Sequence, residues 1–216
     1  MGTKERILEA AVDLFSERGY SEVGIRDIAR AVGIKESSLY SHYAGKKQLF
    51  DAILEDLQNR VAALTPTEEQ AADAMAFISL AQLQQISTHS LQLYFGDEQL
   101  LKLWRILSLE RLKNPGVQAL YQRLLIDDPI RYQAGLFAML MDRGAMPKLD
   151  PQALAVAFYG PIYLIYVRHI ETSRSPRPLE GGMVAAMISA HMTTMDRFLH
   201  ALQANQGTEN EEKQEA

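Results

Sequence analysis

A short stretch from Lys35 to Lys47 gathers Ser37, Ser38, Tyr40, Ser41, His42 and Lys46. Ser38 and His42 stand four residues apart, so on a helix a hydroxyl and an imidazole would share one face. That pair could serve as nucleophile and base only with an orienting acid, a strained strand-to-helix elbow and a glycine-rich oxyanion loop. None of these surrounds it, so no catalytic residue is expected and the protein is not read as an enzyme. Hydroxyls and ammonium groups also suit a polyanion, whose phosphates and base edges accept hydrogen bonds. A merely solvated face is the plain alternative. The other histidines, His89, His169, His191 and His200, form no pair at helical spacing and sit in no carboxylate cluster. No metal or cofactor is expected from them.

Helices must position that stretch. Ile7, Ala11, Leu14 and Phe15 recur at helical spacing, and Gly19 closes the run. Ile25, Ile28, Ala29 and Val32 repeat the pattern up to Gly33. A third short helix is predicted from Glu36 to about His42, and a fourth from Lys46 towards Leu64. Ala29 is small enough for a close helix crossing, and Gly33 tolerates a turn with positive φ. Ile34 and Leu39 then anchor the third helix beneath Ile28 and Phe15. This is helix-turn-helix spacing, in which the second helix of the pair can enter a major groove. Its outward residues are Lys35, Glu36, Ser37, Ser38, Tyr40 and Ser41. Lys35 suits guanine or a phosphate, and Glu36 could accept from a cytosine amino group. Lys46 stands at a helix start, where free amides also favour phosphate.

The run GYSEVGIRDIARAVGIKESSLYSHYAGKKQLF resembles the DNA-binding segment of the tetracycline-repressor (TetR) family of bacterial regulators. Gly19-Tyr20, Arg26-Asp27-Ile28-Ala29, Gly33-Ile34, Leu39-Tyr40, His42-Tyr43 and Lys46 carry the resemblance, over residues 4–54. It implies a homodimer, a helix-turn-helix head on each subunit, and a body that binds a small effector and releases operator DNA. It also implies that Tyr40, His42 and Lys46 hold phosphates, in a surface that includes Arg26 and Lys47. The first turn of the third helix would read bases. Two positions depart from the family pattern. Gly24 replaces the usual threonine cap of the second helix, which removes a phosphate contact. Gly45-Lys46 replaces Ser-Lys, with Lys47 following.

The chain reads as all-α: a helix-turn-helix domain at 1–47, a helical effector-binding and dimerisation domain at 48–204, and a disordered polar tail at 205–216. Thr67 and Gln70 form a capping-box pattern, and Asp97, Asn114, Asp128 and Asp150 mark later helix starts. A loop is read from Ser173 to Pro178. Ala153–Val167 is the longest apolar run, too short for the roughly 18 residues of a membrane span. With no cysteine and no leader-like opening, a soluble cytoplasmic protein is expected.

The helix from Asp150 to about Ile170 is apolar nearly all round, so one side is expected inside the subunit and another against a partner. The last helix carries Val184, Ile188, His191, Met195, Phe198 and Leu202 as a pairing seam, with small residues Ala185, Ala186, Ser189 and Ala190 opposite. Tyr159 and Tyr163 complete the expected dimer interface. Trp104, Phe137, Met141, Phe158, Ile162 and Tyr166 are the expected lining of a pocket for a hydrophobic or aromatic effector, and Pro161 is expected to kink their helix. The net charge of −5 divides as +1 over residues 1–47 and −6 over the rest. So weak a positive charge keeps a second reading in view, a helical carrier or enzyme with a vestigial DNA-binding head.

Overall fold

The computed structural model describes residues 2–67, 70, 80–171 and 183–214. Among these residues every regular element is helical. In chain order they are α1 (Thr3–Arg18), α2 (Ile25–Val32), α3 (Glu36–Tyr40), α4 (Lys46–Leu64), α5 (Leu80–Gly96), α6 (Glu98–Glu110), α7 (Pro115–Gln122), α8 (Asp128–Asp142), α9 (Pro151–Tyr166) and α10 (Met183–Gln214). No described helix is long and apolar enough to cross a membrane. The chain divides into two units. The first is Met1–Thr65, Tyr94–Leu124 and Tyr166–Pro178; the second is Pro66–Leu93, Leu125–Ile165 and Leu179–Ala216. The head read at 1–47 lies wholly within the first unit, together with α4, α6 and α7.

The first unit is organised by α1. Ile7, Ala11, Val12 and Phe15 are buried along one stripe, so Val12 takes a core place while Leu14 is half-buried. α1 packs against α2, α4 and α6. Arg6 Nη2 donates to the Val32 carbonyl at 2.6 Å, which fastens the end of α2 to α1. Lys102 on α6 reaches Asp13 on α1 at 2.9 Å and Glu98 one turn back at 2.8 Å.

Two glycines set the turns. Gly33 has φ 75° and ψ 33°, the left-handed region. Ile34 N donates to Ala29 O at 3.0 Å and Gly33 N to Arg30 O at 3.2 Å. These are the two bonds of a Schellman closure, which satisfies the last carbonyls of α2 while turning the chain into α3. Gly19 has φ 81° and ψ 157°, a region that side chains all but exclude.

In the second unit the Thr67 and Gln70 caps are reciprocal: Thr67 N donates to Gln70 Oε1 at 3.0 Å and Gln70 N to Thr67 Oγ1 at 3.2 Å. Asp150 Oδ1 accepts from Gln152 N at 2.9 Å and opens α9. Asp128 is the first residue of α8 but not its cap. The chain passes into α8 through a π-helical turn at Arg123–Asp127, so Asp128 makes no cap. Likewise Pro161 lies inside α9 without ending it, on an exposed face where its missing amide is least costly. α10 runs on past residue 205, where the sequence suggests disorder; glutamate, glutamine and lysine there favour helix by propensity alone. The loop read at Ser173–Pro178 lies outside the described residues.

Replacing Gly33 by alanine is expected to cost about 1 kcal/mol, because the added Cβ meets nothing within 4 Å and only the backbone is strained. Gly19→Ala is expected to cost more, about 2 kcal/mol or above, because its Cβ would also come 3.3 Å from Glu110 Oε1. Urea unfolding of the two variants checks the order.

Candidate nucleic-acid interface

The local chemistry of α2 explains how it starts without threonine. Gly24 offers no side-chain acceptor, but Asp27 reaches back and accepts from the Gly24 amide at 2.8 Å. That bond holds the Asp27 carboxyl below its usual range, with Arg18, Arg30 and Lys46 adding to the shift and partial burial opposing it. An acid in the first helical turn also complements the helix dipole.

α3 is one and a half turns long and has one buried side chain, Leu39. Its backbone tightens beyond Tyr40: His42 N and Tyr43 N both donate to Leu39 O at 3.0 Å. Tyr43 is therefore turned into the core, where burial raises its hydroxyl pKa. Lys35, Ser37, Ser38, Tyr40, Ser41 and His42 are all exposed. Ser41 Oγ donates to the Ser38 carbonyl at 2.7 Å. Among the described residues no hydrogen bond joins Ser38 to His42. The surface is thus a set of open donors on one short helix and its flanks.

Charged groups at the edges are more constrained. Arg26 Nε donates to Glu36 Oε1 at 3.0 Å, tying the start of α2 to the start of α3. Glu36, read as an acceptor for cytosine, is thus engaged by Arg26, on a pair largely open to solvent. Lys47 Nζ lies 2.7 Å from Asp51 Oδ2, and that contact raises its pKa. Lys46 is half-buried, with Nζ 4.2 Å over the Tyr20 ring. Burial lowers the Lys46 pKa, while Glu110 and Asp27 resist that shift. Tyr20 in turn stacks on Phe50 at 4.7 Å and Phe15 at 5.5 Å, and its amide donates to buried Glu110 at 3.0 Å.

Sequence reasoning missed Asp27, Tyr20 and Glu110 as positioning residues. The Asp27 cap was visible in principle, three residues after a glycine cap position. Glu110 lies ninety residues beyond Tyr20 in the chain, and no local pattern connects them.

A sequence profile described as "Bacterial regulatory proteins, tetR family" matches residues 7–53, the stretch that builds α1, α2, α3 and the start of α4. The head of the chain is thus similar to the DNA-binding segment of TetR-family regulators. The negative transcriptional regulator IcaR of the icaADBC biofilm operon in Staphylococcus epidermidis is 39% identical over 56 residues, which is 26% of this chain and 30% of that protein. The match thus spans under a third of the curated relative. Two solved structures share the fold over nearly the whole chain. MexZ, a repressor responsible for antibiotic resistance in Pseudomonas aeruginosa, aligns with a TM-score of 0.65 at 19% identity, covering 89% of this chain and 94% of its own. A transcriptional regulator from Aquifex aeolicus aligns at 0.63 with 16% identity, covering 91% and 99%. At such identities the likeness concerns fold alone. The head, TetR-like over residues 7–53, has an open α3 surface and starts α2 with the Gly24–Asp27 pair in place of a threonine cap.

The body residues fall as follows. Trp104 and Tyr166 are buried in the first unit, and Phe137, Met141, Phe158 and Ile162 in the second. Phe137 and Phe158 meet edge-on at 5.7 Å. Tyr159 and Tyr163 are half-buried, and Tyr159 OH donates to Leu125 O at 2.7 Å. The seam expected on α10 divides. Ile188 is buried within its own chain, beside Met192 and Leu199, which the seam omitted. His191 Nε2 bonds the Phe158 carbonyl at 2.7 Å, Met195 is half-buried, and Phe198 is exposed. The side chain of Val184 lies outside the described residues. Among the described residues no group of three or more His, Asp or Glu could hold a metal ion.

Asp27 yields a pH prediction. Its folded pKa is lowered, so its stabilising effect is present above its unfolded pKa of about 3.9 and is lost as pH falls through the folded value. Wild type is expected to be more stable than Asp27→Asn at neutral pH, with the gap closing below about pH 4. Denaturant titrations at a series of pH values check this.

Proposed function

We propose that the protein is a dimeric DNA-binding transcriptional regulator that acts as a repressor and leaves its operator when a small effector binds its body. The observation that carries the reading is the α2–α3 pair, closed at Gly33, with Lys35, Ser37, Ser38, Tyr40 and His42 exposed on one short helix and its flanks within a TetR-like head. Tyr40, His42 and Lys46 serve the phosphates. Lys35, Ser37 and Ser38 face the bases. Arg26 and Glu36 act as one unit: the carboxylate restrains the guanidinium until a base or phosphate offers a better partner.

Dimerisation is supported by what the second unit leaves uncovered. Val156 and Leu164 on α9 are 50% and 66% exposed, and Met187 and Phe198 on α10 are 37% and 49% exposed. Small residues Ala186, Ser189 and Ala190 are exposed along α10 as well, and they permit close helix approach. Large apolar side chains in such numbers on two helices mark a contact surface, and a second copy of the chain satisfies it with a two-fold axis. Two recognition helices can then enter successive major grooves about 34 Å apart.

Binding of a duplex recovered by selection, followed by fluorescence anisotropy across a salt series, tests the reading. Affinity is expected to fall steeply with salt, as it does for a protein that displaces several counterions. A flat salt response, or no duplex recovered, would contradict it. Lys46→Ala is expected to weaken all duplexes to a similar degree and to reduce the salt slope by about one. Ser37→Ala is expected to change which duplex is preferred. In sedimentation the wild type is expected at twice the chain mass, and Leu164→Asp or Phe198→Asp at the chain mass.

A further inference from the structure

The second half of α6 carries a polar cluster that DNA binding does not use. Arg105, Ser108 and Arg111 recur every three residues and so follow one stripe of the helix. Arg111 Nη2 lies 2.6 Å from Glu171 Oε1, and Tyr121 OH donates to Glu171 Oε2 at 3.0 Å. The Arg111 guanidinium also lies 4.5 Å over the Tyr121 ring. Both carboxylate oxygens of Glu171 are therefore engaged by Arg111 and Tyr121.

Arg105 meets a different atom of Glu171. Its Nη1 donates to the backbone carbonyl of Glu171, a neutral acceptor. Among the described residues its Nε is buried without a hydrogen-bond partner. Burial is the main influence on this guanidinium and pushes its pKa down, against the attraction of Tyr166 and Glu171. Ser108 Oγ and Tyr166 OH, 2.9 Å apart, add hydroxyls to the same neighbourhood. Among the described residues the contacts of Arg105 and Arg111 converge on Glu171, whose two carboxylate oxygens are met by Arg111 and Tyr121. A partly buried cation with an open donor is costly unless an anion meets it. A planar carboxylate matches the guanidinium fork with two parallel bonds.

We propose that Arg105 anchors a binding site for the carboxylate of a small organic acid. As the effector site of the regulator it rests on the reading given above; as a binding site it stands alone. α6 links the two. Glu110, five residues beyond Arg105 on the same helix, holds the Tyr20 amide of the head at 3.0 Å. An acid seated at Arg105 acts on the helix that grips Tyr20 and, through the Tyr20 ring, Lys46.

The full chain is titrated with benzoate and octanoate, each beside its neutral amide, and with inorganic phosphate, while emission is read from Trp104, the sole tryptophan and the neighbour of Arg105. The acids are expected to bind at least about tenfold tighter than the amides, the low end for a charge-assisted bond. Arg105→Met is expected to erase that difference, and Arg105→Lys to keep part of it. Equal binding of acid and amide, no binding of any probe, or a difference that survives Arg105→Met overturns the proposal. Phosphate binding as tight as the acids overturns the carboxylate assignment. Duplex binding by each variant reports separately on the folded head. Should the wild type bind no duplex, the regulator reading fails, while the acid–amide difference still decides the site.

Discussion

A glutamate with 4% of its surface exposed must find donors, and Glu110 finds one in the Tyr20 amide. Much of the first unit depends on that contact. It requires the chain after α1 to turn through Gly19, where a side chain would crowd the carboxylate. It fixes the Tyr20 ring between Phe15 and Phe50, and the ring in turn carries the Lys46 ammonium at the start of α4. The head is thereby joined to α6 by a buried polar bond as well as by apolar packing. A buried hydrogen bond to a charged group is sensitive to small displacements, so movement of α6 reaches Lys46 through few intermediates.

The same logic explains the economy of the α3 surface. α3 buries only Leu39 and leaves its remaining positions to solvent. So short a helix cannot hold itself together by its own hydrogen bonds. It is held by the Schellman closure at Gly33, by Leu39 in the core and by the turn that buries Tyr43. Rigidity comes from the scaffold, and the exposed hydroxyls remain available to a ligand. The near-neutral charge of the head limits long-range attraction to a polyanion. In the proposed complex, close contacts from hydroxyls and amides carry more of the work, and the acidic remainder of the chain disfavours nonspecific adhesion.

The head was legible in the sequence because its constraints are local. Ala29, Gly33 and Leu39 are spaced by the geometry of one turn, and the structure places each where that geometry requires. Asp97, Asn114 and Asp150 cap helices as their types suggest. What escaped was non-local or register-dependent. Glu110 and Tyr20 meet across ninety residues. On α10 the large exposed Phe198 drew the seam towards itself, whereas Met192 and Leu199 face the protein's own core. One residue of register rotates a helix face by about 100°, enough to exchange inside for outside. Asp128 has the form of a cap, but a π-helical turn runs up to Asp127 and makes Asp128 the first residue inside α8. No side-chain pattern announces such a turn.

Hydroxyl-radical footprinting of the full chain on a selected duplex tests the central claim most directly. Two protected segments on one face of the duplex, centred one helical turn apart at about 34 Å, are the result that paired α3 helices predict. A single protected segment, or continuous protection without helical phasing, would contradict them.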